Sequence, residues 1–336
     1  MKTRILITSI ALLALLNITA NGQKPRTTAA EKPAPGLLTA LPQSDAVAIV
    51  NVRQLLNEVM PRMLAENPSK LAEANAELEK FKTRTGIDPR AFDQLALGLR
   101  YTYPAAGVSK VESVGLARGT FNAAAFVAAG RIAANGKYRE EKYQGQTIYI
   151  FTLEEQIKLF GILNIRVTDL AVSAISPNVL ALGTPNTVKA AIDASKGRRG
   201  LNQELIELAT RDPNAAIGFG GNITPELLRT INIGNEETMK DLSNVRQAYG
   251  SVGVTEKDVE MFVAARTVTP AAAKSLGDTI EGLKTLAGFL VGGMPAPKGP
   301  VARTALNNLK ITTQGNELQV RTAVAQVDIT PLLRGK

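Results

Sequence analysis

The sequence predicts an α+β protein made of two duplicated modules, each an antiparallel sheet with helices packed on one face. Two observations lead to this fold class. The strand–helix joint "ESVGLARGTFNAAAF" (Glu112–Phe126) recurs as "EMFVAARTVTPAAAK" (Glu260–Lys274), with several identical residues at matching positions and no gap. The predicted strands also come mostly in adjacent pairs separated by turn residues, which is typical of antiparallel sheets.

The first element, residues 1–22, predicts a cleaved signal peptide. Lys2 and Arg4 are cationic, Ile5–Ile18 is an almost uninterrupted apolar run, and small residues follow it as far as Gly22. A transmembrane span needs roughly 20 apolar residues, more than this run supplies. We therefore expect cleavage between Gly22 and Gln23, no transmembrane anchor in the mature chain, and a periplasmic or secreted location.

The rest of the chain divides into a leader and two modules. Residues 23–36 are rich in proline, alanine and charge and predict a flexible leader. The first α+β module is expected over residues 37–212 and the second over residues 213–336. The boundary falls in the turn sequence of Thr210–Asn214.

Each module is predicted to open in the same way. "SDAVAIVNVRQLL" (Ser44–Leu56) resembles "PNAAIGFGGNITPELL" (Pro213–Leu228), a strand followed by a short helix. The first module then carries extra material: amphipathic helices within Arg53–Thr83 and a hairpin over Tyr138–Phe151 that turns at Gln144-Gly145-Gln146.

The modules are also predicted to close in the same way. Leu170–Ile192 corresponds to Leu309–Leu333, in each case a hairpin followed by a turn into a helix. The longest helix is expected at Pro270–Gly292, where leucines and isoleucine fall at helical spacing and four charged residues argue against a membrane span. A loop over Gly292–Pro300 is predicted to lead into the last hairpin.

Composition excludes several classes of chemistry. The chain has no cysteine and no histidine, so disulfides, Ser–His–Asp or Cys–His catalysis and an ordinary zinc site are not available to it. We expect no cofactor and no metal. The net charge is +9, but the basic residues are mostly interleaved with acidic ones and aromatic residues make up only 4%, so no specific nucleic-acid binding is predicted.

The segment "VLALGTPNTVKAAIDASKGRRG" (Val179–Gly200) has the sequence of a strand, a turn and a helix rather than of a phosphate-binding loop. A P-loop needs a second glycine immediately before its lysine, and this segment has none. Thr184 is a predicted N-cap, Pro185 a predicted first helical residue and Gly197 a predicted helix stop. The remaining exposed cations are candidate contacts to an acidic partner: Lys196, Arg198 and Arg199.

Two further motifs are interpreted structurally. "GFGGN" (Gly218–Asn222) lacks the spacing of a dinucleotide fingerprint, so its glycines predict a strand that another segment approaches closely. Arg118 and Arg266 are repeated within equivalent strands, and we expect each to form a structural ion pair, with Glu112 and Glu260 respectively.

No catalytic residue is predicted. A hydrolase of the glycosidase type needs two carboxylates across a cleft, usually beside aromatic side chains, and the sequence shows no such pairing. The acidic residues that such chemistry would have to use are Glu140, Glu141, Asp193, Glu226, Glu236, Glu237 and Glu260.

The signal peptide and the motifs "LPQSDAVAIVNV", "TGIDPRAFDQLALGL", "YQGQTIYIF" and "LALGTPNTVKAAIDA" together resemble a family of secreted bacterial proteins of unknown function, built from duplicated α+β modules. The resemblance covers most of Leu37–Gly200 and, more loosely, Asp212–Leu333. It implies an envelope location and provides no catalytic residues.

Three functions remain open on this basis. The first is an exported, non-enzymatic envelope protein that acts by protein–protein contact, with an unknown envelope protein or another copy of itself as partner. The second is a periplasmic carrier of an apolar or amphipathic ligand, because small apolar residues leave room for a cavity. The third is a carboxylate-dependent hydrolase.

Overall fold

The structure is a computed structural model. It describes residues 35–329 except for these internal segments: 66, 86–87, 106–107, 135, 153–156, 160–162, 166–168 and 230–235. The predicted signal peptide and almost all of the predicted leader lie outside the described residues.

One antiparallel sheet of twelve strands forms the framework. Two further short strands pair only with each other and form a separate ribbon. The strands are β1 (Ala46–Asn51), β2 (Phe92–Ala105), β3 (Val108–Gly119), β4 (Tyr138–Tyr143), β5 (Gln146–Thr152), β6 (Ile157–Leu159), β7 (Leu163–Ile165), β8 (Asp169–Ser176), β9 (Val179–Gly183), β10 (Ile217–Asn222), β11 (Val245–Val254), β12 (Asp258–Thr267), β13 (Lys310–Gln314) and β14 (Glu317–Ala325). Across the sheet their order is β13-β14-β12-β11-β10-β1-β2-β3-β9-β8-β5-β4, and β6 pairs with β7.

The helices connect these strands. They are α1 (Val52–Gln54), α2 (Met60–Met63), α3 (Pro68–Thr85), α4 (Ala123–Ala133), α5 (Pro185–Ser195), α6 (Gln203–Ala209), α7 (Pro225–Arg229), α8 (Glu236–Leu242), α9 (Pro270–Gly292), α10 (Lys298–Asn307) and α11 (Gln326–Ile329), with a π-helical turn at Leu55–Val59 and 3-10 helices at Pro35–Ala40 and Pro89–Ala91. None of the helices in the described part of the chain is both long and apolar enough to cross a membrane.

The two halves of the chain share this sheet because their first strands, β1 and β10, pair with each other. Ala48 lies opposite Phe219 at the centre of this strand pair. The pairs Ala46–Gly221 and Val50–Ile217 lie two residues to either side of it, so the pairing is symmetric about its centre. A single continuous sheet therefore runs through both halves of the chain, with this strand pair near its middle.

The halves agree in the register of their strand ladders. Gln94 of β2 lies opposite Arg118 of β3, immediately after a register shift, and Gln247 of β11 lies opposite Arg266 of β12 after an equivalent shift. The strand orders β1-β2-β3-β9-β8 and β10-β11-β12-β14-β13 correspond element by element.

The α+β class and the antiparallel pairing of the strands are confirmed. A single sheet runs through both halves of the chain, however, where one sheet in each module was predicted. The prediction that helices cover only one face of the sheet is also wrong. On β3, Leu116 joins the buried cluster that contains Ile192 of α5, whereas its neighbour Ala117 joins the cluster that contains Val127 of α4. Successive residues of a strand point to opposite faces, so α5 and α4 cover opposite sides of the sheet. The physical reason is that strands such as β9 are apolar on both faces, and both must be covered.

Several local predictions are confirmed. Asn122 and Thr269 cap α4 and α9 through their side-chain oxygens, and α9 spans Pro270–Gly292 as predicted. The β4–β5 hairpin turns at Gln144 and Gly145, which both have positive φ. The loop predicted for Gly292–Pro300 is wrong in part, because α10 already begins at Lys298. Its first turn contains glycine and proline, which have low helix propensity, so the sequence does not indicate a helix there.

Candidate functional site

The three cations singled out in the sequence lie at the C-terminal end of α5. Gly197 has φ 79°, as expected for a glycine that ends a helix, and all three cations are exposed. Lys196 Nζ donates to the carbonyl of Gln144 in the β4–β5 turn, and the carbonyl of Arg199 accepts from the amide of Gln43 at 3.2 Å. Contact of Lys196, Arg198 and Arg199 with an acidic partner stays a prediction.

The beginning of α5 has the predicted structural role. Thr184 and Thr187 form a capping box, in which the Thr184 amide donates to Oγ1 of Thr187 at 2.9 Å. Val188 and Ile192 are fully buried in the main core, so this face of the helix serves packing.

The close packing predicted for the glycines of β10 is confirmed. A Cβ atom on Gly218 would lie 2.0 Å from the carbonyl oxygen of Ala209, and one on Gly220 would lie 2.8 Å from Cβ of Leu208. Helix α6 therefore packs directly on the backbone of β10. At Gly221 the close neighbour is Ala46 of β1, 2.9 Å from the Cβ position.

Most of the acidic residues considered for hydrolysis have structural partners. Glu140 pairs with Arg131 at 3.1 Å and Glu141 pairs with Lys189 at 2.5 Å. Asp193 accepts a hydrogen bond from the Tyr143 hydroxyl at 2.8 Å, and Glu226 faces Arg229 within α7. Glu236 and Glu237 lie in the first turn of α8, and Glu260 is exposed on β12. Over the described residues, no three acidic side chains come together as a possible metal site.

The partners expected for the two repeated arginines are wrong. Glu112 and Glu260 each lie six residues from their arginine on the same strand, a distance of about 20 Å in extended chain. Glu112 pairs instead with Lys110 at 3.2 Å. Arg266 pairs with Glu317 of β14, through Nε at 3.3 Å, and with Glu204 of α6, through Nη1 at 3.2 Å.

Around Arg266 lies an open, polar cavity of about 630 Å³, which we call the arginine pocket. It forms where α6, the start of β11, the end of β12 and the β13–β14 turn meet. Its walls are Glu204, Arg211, Arg246, Gln247, Arg266, Thr267, Gln314, Asn316 and Glu317. A smaller cavity of about 220 Å³ adjoins it and shares Glu204, Arg211 and Arg266.

A buried tyrosine orders the arginines of this pocket. Tyr249 of β11 is fully buried, and the guanidinium carbons of Arg211 and Arg266 lie 4.9 and 5.6 Å from its ring centroid. Arg211 Nη1 donates to the Tyr249 hydroxyl and lies 3.4 Å from Oε2 of Glu317. Arg266 Nη1 also donates to Oε1 of Gln247 at 3.1 Å. The two guanidinium groups are thus fixed by several contacts each.

The same network sets the protonation of Tyr249 and Glu317. Burial raises the pKa of Tyr249 to about 12, and its hydrogen bond to Glu317 acts in the same direction. Burial alone would raise the pKa of Glu317, but hydrogen bonds from Tyr249 and Gln319 and the positive charge of Arg211 outweigh it and lower that pKa. At neutral pH the tyrosine is therefore neutral and the glutamate is ionised.

Sequence reasoning missed this pocket because its arginines come from three separate elements. Arg211 follows α6, Arg246 is the second residue of β11, and Arg266 is the last residue but one of β12. The one available signal was the repetition of Arg118 as Arg266, whose partner is Glu317 rather than the predicted Glu260.

A second surface feature is an exposed apolar stripe on the C-terminal half of α9. The N-terminal half buries Ala273 and Leu276 against the sheet. Beyond it, large apolar side chains face solvent, and we call these residues the α9 stripe: Leu283 is 42% exposed, Leu286 57%, Phe289 78% and Leu290 69%.

Among known proteins, similarity to this chain is found only at the level of solved structures. No protein-family model and no curated protein sequence matches the chain. Crystal structures of TP0453 are similar: for crystal form III the TM-score is 0.44 at 10% identity, and the match covers 88% of this chain and 96% of that chain. Crystal form IV has a TM-score of 0.45 at 11% identity, with 89% and 96% covered.

Proposed function

We propose that this chain is an exported, non-enzymatic envelope protein that acts by binding another protein, and that the α9 stripe is its contact surface. The single observation that carries the proposal is the exposure of four large apolar side chains on one helix segment. Leu283, Leu286 and Leu290 are spaced by three and four residues, the pattern by which a helix anchors in an apolar groove. Contiguous apolar surface of this kind is typical of interaction sites.

The charges beside the stripe favour a protein partner over an anionic membrane. Helices that lie in membrane interfaces are rich in lysine and arginine on their polar face. Helix α9 carries Lys274 and Lys284 but also Asp278 and Glu281, so its polar side has no net charge. An apolar stripe with balanced charges around it is complementary to an amphipathic segment of a partner protein.

Export and duplication belong to the same proposal. The apolar run Ile5–Ile18 supports export, and N-terminal sequencing of the secreted chain should begin at Gln23. The corresponding strand orders and the equivalent pairs Gln94–Arg118 and Gln247–Arg266 support a duplicated origin of the two halves.

A carrier of an amphipathic ligand is a second candidate, because part of the sheet is apolar and open. Leu97, Val111 and Val263 are 45%, 54% and 38% exposed. They project from the sheet face that carries α4 and α9, since they alternate with core residues of the opposite face. In this second candidate, the ligand lies across this face and extends to the apolar side chains of the α9 stripe.

Site-specific photo-crosslinking distinguishes these functions. A photoreactive amino acid is placed at Phe289 in the bacterial host that secretes the chain, and a matched probe is placed at Arg303, an exposed position on the neighbouring α10. We expect one discrete protein adduct from position 289 and none from position 303. A second copy of the chain as the adduct would identify a homo-oligomer.

The same adduct should be lost when Leu286 is replaced by Asp, with far-UV circular dichroism unchanged. A lipid or small-molecule adduct at position 289 would support the carrier instead. No adduct at all, or equal adducts at both positions, would overturn the contact surface.

A further inference from the structure

We propose that the arginine pocket binds a small organic oxyanion, a molecule that carries carboxylate or phosphate groups. This site is separate from the α9 stripe and does not depend on the function proposed for it. Arginine suits such ligands because its planar guanidinium group donates two parallel hydrogen bonds to one carboxylate or phosphate.

The charges that line the pocket favour an anion. Glu317 is turned inward, with a side chain only 12% exposed, and its oxygens already accept from Arg211, Arg266 and Gln319. Arg246 has no carboxylate partner in the part of the chain that the structure describes: its Nη1 donates to the backbone carbonyls of Ser243 and Val245, at 2.8 and 3.1 Å. Among the described residues that line the pocket, three arginines stand against two glutamates, Glu204 and Glu317, so one positive charge is left without a counter-charge.

Each guanidinium group also keeps donors for a ligand. Within the described residues, the hydrogen bonds of Arg211 and Arg246 use Nη1, and those of Arg266 use Nε and Nη1. No residue in the described part of the chain accepts from Nη2 of these three arginines, so that group is left to water or to a ligand. The side-chain amides of Gln314 and Asn316 line the same cavity and can add neutral donors.

The pocket is preorganised, which lowers the entropic cost of binding. Arg211 and Arg266 are already held against the Tyr249 ring and Glu317, so little side-chain freedom is left to lose when an anion arrives. A volume of about 630 Å³ is within the usual range for small-molecule sites and exceeds what one phosphate or carboxylate fills. The ligand therefore has an organic remainder or several anionic groups.

Isothermal titration of the secreted chain at low ionic strength tests this site, with citrate as the multivalent probe and inorganic phosphate as the single-group probe. We expect saturable binding of citrate at one site and weaker, competitive binding of phosphate. Arg246→Gln should weaken citrate binding roughly 10- to 100-fold, the usual effect of losing a charged hydrogen-bond donor. Arg246→Lys, which keeps the charge and loses the planar fork, should give an intermediate affinity.

The matched control is Arg229→Gln, which removes the same charge from an exposed pair on α7, where the arginine side chain is 77% exposed. Its affinity for citrate should equal that of the parent chain. Absence of saturable heat with both probes would overturn the site. Equal weakening by Arg229→Gln and Arg246→Gln would also overturn it, because it would mean general attraction to a basic surface. Either result leaves the crosslinking test of the α9 stripe unaffected, so the two proposals fail separately.

Discussion

Arg266 and Glu317 lie directly opposite each other on β12 and β14, and Nε of the arginine is 3.3 Å from Oε2 of the glutamate. Glu317 also faces Arg211 at 3.4 Å, so a single carboxylate holds two guanidinium groups beside the Tyr249 ring. This arrangement joins the end of α6 to two strands of the second half of the sheet.

Replacement of Glu317 by Gln should therefore destabilise the fold. The neutral amide leaves two partly buried arginines without their shared counter-charge, and we expect a loss of about 2 kcal/mol in the free energy of unfolding. Urea unfolding at neutral pH measures it. The matched control is Glu226→Gln, which removes a carboxylate from an exposed pair on α7 and should cost less than about 0.5 kcal/mol. Equal losses in the two variants would contradict a structural role for Glu317.

The contribution of Glu317 should also depend on pH in a defined direction. Its pKa in the folded chain is lowered from the ordinary 4.5, so the folded state favours the ionised form. The stabilisation is then fully present above the ordinary pKa and is lost as the pH falls through the lowered one. The difference in unfolding free energy between the parent chain and Glu317→Gln should be constant near neutral pH and shrink once the pH falls below about 4.5. A difference that grows on acidification would contradict this assignment.

Local features were predictable from sequence, and long-range ones were not. The caps Asn122, Thr184 and Thr269 and the turn at Gln144-Gly145 depend on residues within a few positions of one another, and propensity and spacing identify them. The pairing of β1 with β10 joins residues such as Ala48 and Phe219, which are far apart in the chain, and no local pattern specifies it.

The arginine pocket lay beyond prediction for the same reason. The strand register places both Gln247 and Glu317 opposite Arg266, and these positions follow from two strand pairings, β11–β12 and β12–β14, rather than from sequence spacing. The prediction of helices on one face failed because the apolar residues of β3 and β9 identify these segments as strands without showing which helix covers each side.

The close contact between β10 and α6 gives a steric prediction. A Cβ atom on Gly218 would lie 2.0 Å from the backbone oxygen of Ala209, and backbone cannot move aside as a side chain can. Gly218→Ala should therefore destabilise the chain by about 3 kcal/mol or more. Thermal and urea unfolding measure this loss.

The control for Gly218→Ala is another glycine-to-alanine change, at Gly282 in α9. An added Cβ at Gly282 has nothing within 4 Å, and alanine is the better helix former. Gly282→Ala should raise the free energy of unfolding by about 0.5 to 1 kcal/mol. If both variants shifted stability in the same direction, the close packing of α6 on β10 would not be the cause.

Alkaline pH should destabilise the fold through Tyr249. Its pKa is raised from 10.0 to about 12 in the folded chain, so the unfolded state loses the phenolic proton first. The free energy of unfolding is unaffected by this group below pH 10.0, the ordinary pKa of tyrosine. It falls by about 2 to 3 kcal/mol as the pH rises from there to about 12. Tyr249→Phe removes this titration and should flatten the decline in unfolding free energy over that interval. The variant starts from a lower stability, because Arg211 and Glu317 lose a hydrogen-bonding partner. Tyr103→Phe, which removes a phenol hydroxyl from an exposed side chain, is the matched control variant. A Tyr249→Phe variant with the same slope as the parent chain would show that the Tyr249 hydroxyl titrates no differently in the folded and unfolded states.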